Sequence, residues 1–210
     1  MILRTAKAIS LVAYITILWA LYSIVHIERY IDLVVFAKPI YQVPPPVTGA
    51  FTPEVEHWWA DIDRWASARS LDPYLVATVM QIESCGDPQA VSPSGAQGLF
   101  QVMPFHFSEG AAMLDPETNA VAGLSYLVYT LNAANGDPDL AMAAYNGGPG
   151  LIGLPMEQWP DETRDFYYWG SGIYAEAKSG GSNGRLQEWL DAGGRMLCGQ
   201  ATRRLQLQSN

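Results

Sequence analysis

Asp72-Pro73-Tyr-Leu-Val-Ala-Thr-Val-Met-Gln-Ile-Glu83-Ser84 is the stretch from which the fold is read. An aspartate can accept hydrogen bonds from the unpaired amides at a helix start, and the fixed φ of proline suits the first helical position. On a 3.6-residue period Leu75, Val76, Val79 and Met80 share one apolar face that ends at Glu83, and Gly86 supplies a stop. The same aspartate-proline start recurs at Asp115-Pro116 and at Asp137-Pro138. The first opens a helix carrying Val121, Leu124, Leu127, Val128 and Leu131; the second carries Leu140, Ala143 and Ala144 and ends abruptly at Asn146-Gly147-Gly148-Pro149. Upstream, Thr52 as cap and Pro53 start a helix with Val55, Trp58, Trp59, Ile62 and Trp65 at helical spacing. Downstream, a helix is expected from Asp161 to Lys178, and a short final one bears Leu186, Trp189, Leu190 and Leu197. No segment alternates as a strand would, so the fold class is all-α.

Half of the 210 residues are apolar, enough for a substantial core. The net charge is −9 and the basic residues are scattered singly, which argues against nucleic acid as a partner. Two cysteines without CxxC spacing and three well-separated histidines give no zinc pattern, so no metal and no cofactor are expected. Gly147-Gly148-Pro149-Gly150 lacks the lysine of a phosphate loop. Ser92-Pro93-Ser94-Gly95 lacks the nucleophile-elbow pattern, which argues against covalent serine catalysis.

Residues 8–25 form an uncharged run, preceded by Arg4 and Lys7. Its length suits a single transmembrane helix, and the positive flank favours an N-terminus left inside with the remainder extracytoplasmic. A cleaved signal peptide is the rival reading, but Val35-Phe36-Ala37 lies far beyond the apolar run. The expected organisation is a membrane anchor over 1–38, a proline-rich linker over 39–51 containing Pro44-Pro45-Pro46, a helical domain over 52–199 and a polar tail over 200–210.

A carboxyl group at the end of an apolar helix face is partly desolvated, which disfavours its charged form and raises its pKa. Such a group can donate a proton near neutral pH, as general acid catalysis at a glycosidic oxygen requires. The face alone equally allows a helix-end glutamate that reaches solvent or pairs with an arginine.

The stretch from Glu83-Ser84 through Ala90-Val91-Ser92 to Gly95-Ala96-Gln97-Gly98-Leu99-Phe100-Gln101-Val102-Met103-Pro104 decides between them. It resembles the soluble lytic transglycosylase (SLT) family, a lysozyme-like group. The likeness continues in Asp115-Pro116 with Asn119, in Gly123 with Tyr126-Leu127, in Ala144-Tyr145-Asn146-Gly147-Gly148-Pro149 and in Pro160-Asp161-Glu162-Thr163-Arg164. It implies a groove for peptidoglycan strands and scission of the bond from N-acetylmuramic acid to N-acetylglucosamine, leaving 1,6-anhydro ends. Glu83 matches the family's catalytic acid. Ser92 matches a serine that bonds near the reacting groups, with Ser94 assisting. Gln101 matches a groove-lining glutamine, and Tyr145 and Asn146 match the pair beside the acid. Phe100 replaces the usual methionine and would supply an apolar wall for a sugar. The family's late tyrosine is displaced here, and Tyr167 is the expected substitute.

For an exported chain, Cys85 and Cys198 are the only intramolecular pair, and their disulfide would staple the final helix beside Glu83. Two other functions compete with the transglycosylase. A lysozyme-type hydrolase on the same fold normally needs a second carboxylate, and Asp87 reads as a turn cap. A weakly active wall-binding subunit of a membrane assembly has no use for a desolvated acid.

Overall fold

The computed structural model describes residues 22, 49–180 and 184–207. The chain divides into two compact units, Met1–Val43 and Pro44–Asn210, and all the elements below lie in the second. Apart from Tyr22, the expected transmembrane span at 8–25 falls outside the described residues, as does most of the linker. Among the described residues no helix is long and apolar enough to cross a membrane.

The eight α-helices described in the second unit are α1 Pro53–Glu56, α2 Trp59–Ser67, α3 Pro73–Glu83, α4 Pro116–Ala133, α5 Pro138–Gly147, α6 Asp161–Ser179, α7 Arg185–Trp189 and α8 Arg195–Leu205. Short 3₁₀ turns at Pro104–His106, Pro149–Leu151 and Met156–Gln158 punctuate the connections. The fold is all-α: β pairing among the described residues is limited to two isolated bridges, Val91 with Gln97 and Gln97 with Val102.

Three of the four expected caps form as bonds. Asp72 accepts from the Tyr74 amide, Asp115 from Thr118, and Asp137 from Asp139 and Leu140. Thr52 has the extended backbone of a cap, but its side chain makes no capping bond; its hydroxyl lies 3.2 Å from the Cys85 sulfur instead. The helix expected after it is broken between Glu56 and Trp59. Here Trp58 donates its indole N–H to the Gly86 carbonyl at 2.9 Å, tying this corner to the end of α3.

Helix α3 runs through the centre of the domain, with Leu75 through Gln81 all buried. Around it, Ile62 and Trp65 of α2, Leu124 and Leu127 of α4, Met142 of α5 and Ile173 of α6 complete the core. The first turn of α4 is tied to α2 by Glu117, which accepts from the Arg64 guanidinium and the Trp65 indole.

Residues 200–205, expected as part of a polar tail, instead continue α8 to Leu205. Ala201 faces inward, fully buried, and Thr202 bonds Glu54 of α1, so burial on one side of the helix carries it past Gly199.

Candidate active site

Glu83 is the last residue of α3, delivered there by a helix that is otherwise core. Two devices fix the chain just beyond it. Ser84 donates its hydroxyl to the Leu99 carbonyl at 2.7 Å, clipping the helix end to the loop that returns past it. Cys85, in left-handed backbone at φ 51°, is disulfide-bonded to Cys198 of α8. Glu54, Cys85 and Cys198 cluster as metal ligands would, but both sulfurs are consumed by that bond.

The loop over 84–104 is held from the other side by Asn119 of α4. This fully buried carboxamide accepts from the Phe100 amide at 2.9 Å and donates to the carbonyls of Gln97 and Met113. Gly98 makes the approach possible: it sits at φ +69°, and a Cβ there would lie 2.6 Å from the Asn119 carboxamide.

Together these segments enclose one side of a cleft of about 820 Å³ whose lining includes Glu83, Ser92, Ser94, Gln101, Tyr145 and Asn146. Six of the eight residues assigned to chemistry or substrate binding from the sequence therefore meet in one cavity. Two do not. Phe100 is fully buried against the Trp65 ring, 6.1 Å between centroids, with its backbone amide taken by Asn119 and its carbonyl by the Tyr145 hydroxyl. It underpins the cleft and offers no face to a sugar. Tyr167 packs on Trp159 in a separate apolar cluster with Ala143 and Leu151. Helical geometry explains this displacement: Glu162, Asp165, Phe166 and Trp169 are spaced three and four apart and share the α6 face that lines the cleft, whereas Tyr167 is rotated ~100° from Phe166.

Burial of its carboxyl pushes the Glu83 pKa from 4.5 up to about 8, with the negative charge of Glu162 adding to the effect. The group itself is half-buried, so it is poorly solvated and still reachable from the cleft. Tyr145 beside it is held firmly neutral, its phenol pKa raised by burial and by the Glu83 charge, while its hydroxyl donates to the Phe100 carbonyl at 2.8 Å. Gly123 allows that packing, since a Cβ there would lie 2.6 Å from Phe100 Cβ.

Gln101 stands in left-handed backbone at φ 44°, a conformation uncommon for a side chain of this kind. Its carboxamide N–H groups are spent on the carbonyls of Ala90 and Gly98, which fixes where its oxygen points. Asn146 is oriented the same way, accepting from the Thr163 hydroxyl at 2.7 Å. Ser92 accepts from the Ala96 amide at 3.0 Å and lies 3.4 Å from the Ser94 oxygen, closing the turn between them. Asp87 accepts from the Gln89 amide, as a turn cap does.

The far side of the cleft was not foreseen. Glu162, Asp165 and Trp169 come from α6, and Leu197 and Gln200 from α8. For α6 the three- and four-residue spacing was a usable signal; for α8 only the cysteine pair pointed there.

The transglycosylase SLT domain family model matches residues 61–164. A transglycosylase of Enterobacteria phage PRD1 is 39% identical over 93 residues, covering 43% of this chain and 35% of that protein. The soluble lytic murein transglycosylase of Escherichia coli is 34% identical over 101 residues, 42% of this chain and 16% of that one. The membrane-bound lytic murein transglycosylase C of Edwardsiella ictaluri is 32% identical over 134 residues, 54% and 37% respectively. The chain thus spans well under half the length of these relatives. The matched segment holds Glu83, the clipped loop, Tyr145 and Asn146, so the part that builds the acid's surroundings, residues 61–164, is the part that matches the transglycosylase SLT family.

Proposed function

We propose that the chain is a peptidoglycan lytic transglycosylase in which Glu83 acts first as acid and then as base. The observation that carries this is a half-buried carboxyl opening onto a cleft, with its pKa pushed up to about 8. At neutral pH it is protonated. It gives its proton to the oxygen joining N-acetylmuramic acid to N-acetylglucosamine, and the bond from C1 to that oxygen breaks. The resulting carboxylate takes the proton of the muramic 6-hydroxyl, whose oxygen bonds to C1. A 1,6-anhydro end forms, no water is consumed, and Glu83 is protonated again for the next cut.

Gln101 and Asn146, both pinned by hydrogen bonds, are positioned to bind the strand without reorganising, and Ser92 with Ser94 borders the same space. Phe166 and Trp169 line the cleft and supply the apolar surface expected of Phe100.

The domain is proposed to work outside the cytoplasm, tethered by the apolar run at 8–25 and spaced from the membrane by the proline-rich 39–51 segment. The disulfide fits an oxidising compartment, and relatives named membrane-bound support the tether.

A hydrolytic outcome is the second reading, favoured by one observation: Glu162 and Asp165 line the same cleft and could serve as the second carboxylate that water-using glycosidases need. Mass spectrometry of digested peptidoglycan separates the two, because anhydro ends are lighter by one water. Hydrolysed ends alone would overturn the transglycosylase reading.

A further inference from the structure

The cleft does not end at Tyr126. A second hollow of about 510 Å³ opens between the 106–111 segment and the outer face of α4, and His106 and Tyr126 line both spaces. Aromatic rings run continuously between them: Tyr145 to Tyr126 at 5.3 Å, Tyr126 to His106 at 4.7 Å, His106 to Phe105 at 4.5 Å, and Tyr126 to Tyr129 at 6.0 Å.

The outer members of this row are not core. Phe105 is 74% exposed, Tyr129 56% and Val121 47%, a concentration of large apolar side chains in water on one face. None of the residues lining the second hollow is Asp, Glu, Lys or Arg, in a chain whose net charge is −9. Such a surface offers nothing to an anionic headgroup or a charged peptide. It does suit a pyranose ring, which has a face of C–H bonds to lay on an aromatic ring and hydroxyls at its rim for the phenols of Tyr126 and Tyr129.

We propose that this hollow is a distal sugar subsite, binding uncharged N-acetylhexosamine units of the same strand that Glu83 cuts. The occupant follows from continuity: a polymer lying past Glu83 and over Tyr126 meets His106 and Tyr129 next. The inference rests on the glycan reading above and adds a consequence, a preference for strands long enough to reach α4.

The test uses the full chain and two variants at exposed positions, Tyr129→Ala and Val121→Gln. For wild type, kcat/KM is expected to be higher on long glycan strands than on a four-sugar fragment, and Tyr129→Ala should reduce that ratio about tenfold, with Val121→Gln acting in the same direction. In the Glu83→Gln background, calorimetry should show the N-acetylglucosamine hexamer binding more tightly than the trimer, a gain that Tyr129→Ala removes. An unchanged length preference in both variants overturns the subsite. So does an unchanged preference accompanied by loss of vesicle binding or of self-association, which would make the face a membrane or dimer surface. If wild type fails to cut peptidoglycan yet shows the hexamer gain and its loss in Tyr129→Ala, the reaction is wrong and the subsite stands.

Discussion

The two sides of the cleft are built by different means. The side carrying Glu83 is wired atom to atom: Ser84 to Leu99, Asn119 to three backbone groups, and Tyr145 to Phe100. The opposite side is two helix faces, α6 and α8, and α8 is joined to the end of α3 by one covalent bond. Hydrogen bonds between fixed backbone atoms hold a reacting group to fractions of an ångström, whereas a packed helix supplies area and tolerates adjustment. The acid proposed for the chemistry therefore sits on the wired side, and the packed side adds contact surface.

That contrast is broken most directly at Glu83. Glu83→Gln is expected to reduce peptidoglycan cutting by about a thousandfold or more while leaving the cleft intact. Equal activity in the two proteins would remove the assignment. Because the charged form is penalised by burial, the same change should stabilise the fold by about 1–2 kcal/mol at neutral pH in urea unfolding.

On the packed side the largest change comes from the disulfide. Its two cysteines are 113 residues apart. Releasing a crosslink across a loop of that length costs up to about 5 kcal/mol in the chain-entropy model. Cys198→Ser is expected to lower stability by several kcal/mol and to loosen α8, seen as faster amide exchange over 195–205. Unchanged exchange there would mean packing alone holds the wall.

Asn119→Ala tests the wiring. Losing its buried bonds should cost about 2–4 kcal/mol and reduce kcat more than it raises KM, since the loop carrying Gln101 shifts. A change confined to stability would reduce Asn119 to a structural clip.

The pH response separates the acid from its surroundings. Glu83 has a folded pKa of about 8 against an unfolded value of 4.5. The native state therefore holds its proton where the unfolded state has lost it. The contribution is fully present below pH 4.5 and is lost as pH rises through about 8. Activity should fall on the same alkaline limb, and the stability advantage of Glu83→Gln should grow across that window. The smallest effect is expected from Glu162→Gln: removing the neighbouring charge should move the limb to lower pH by a fraction of a unit.

The wired side was legible because its signals are local. Aspartate-proline caps, the apolar face leading to Glu83 and the glycines of the loop all act within a few residues, and the motif spacings repeat a known pattern. Phe100 and Tyr167 were misplaced because residue type alone does not tell which way a helix or loop turns a ring. Asn119 was noted without a role, since its partners are backbone atoms as far as 22 residues away. Nothing in the sequence around Gln200 signals that Thr202 bonds Glu54 of α1 and that Ala201 is buried, which is why a polar tail is expected there.

The bond between Cys85 and Cys198 also sets an order of events. The helix bearing the acid can form early, but its counterpart across the cavity is latched only once the ribosome has passed residue 198, and only where thiols are oxidised. In a reducing compartment the same polypeptide has its acid and an unlatched jaw.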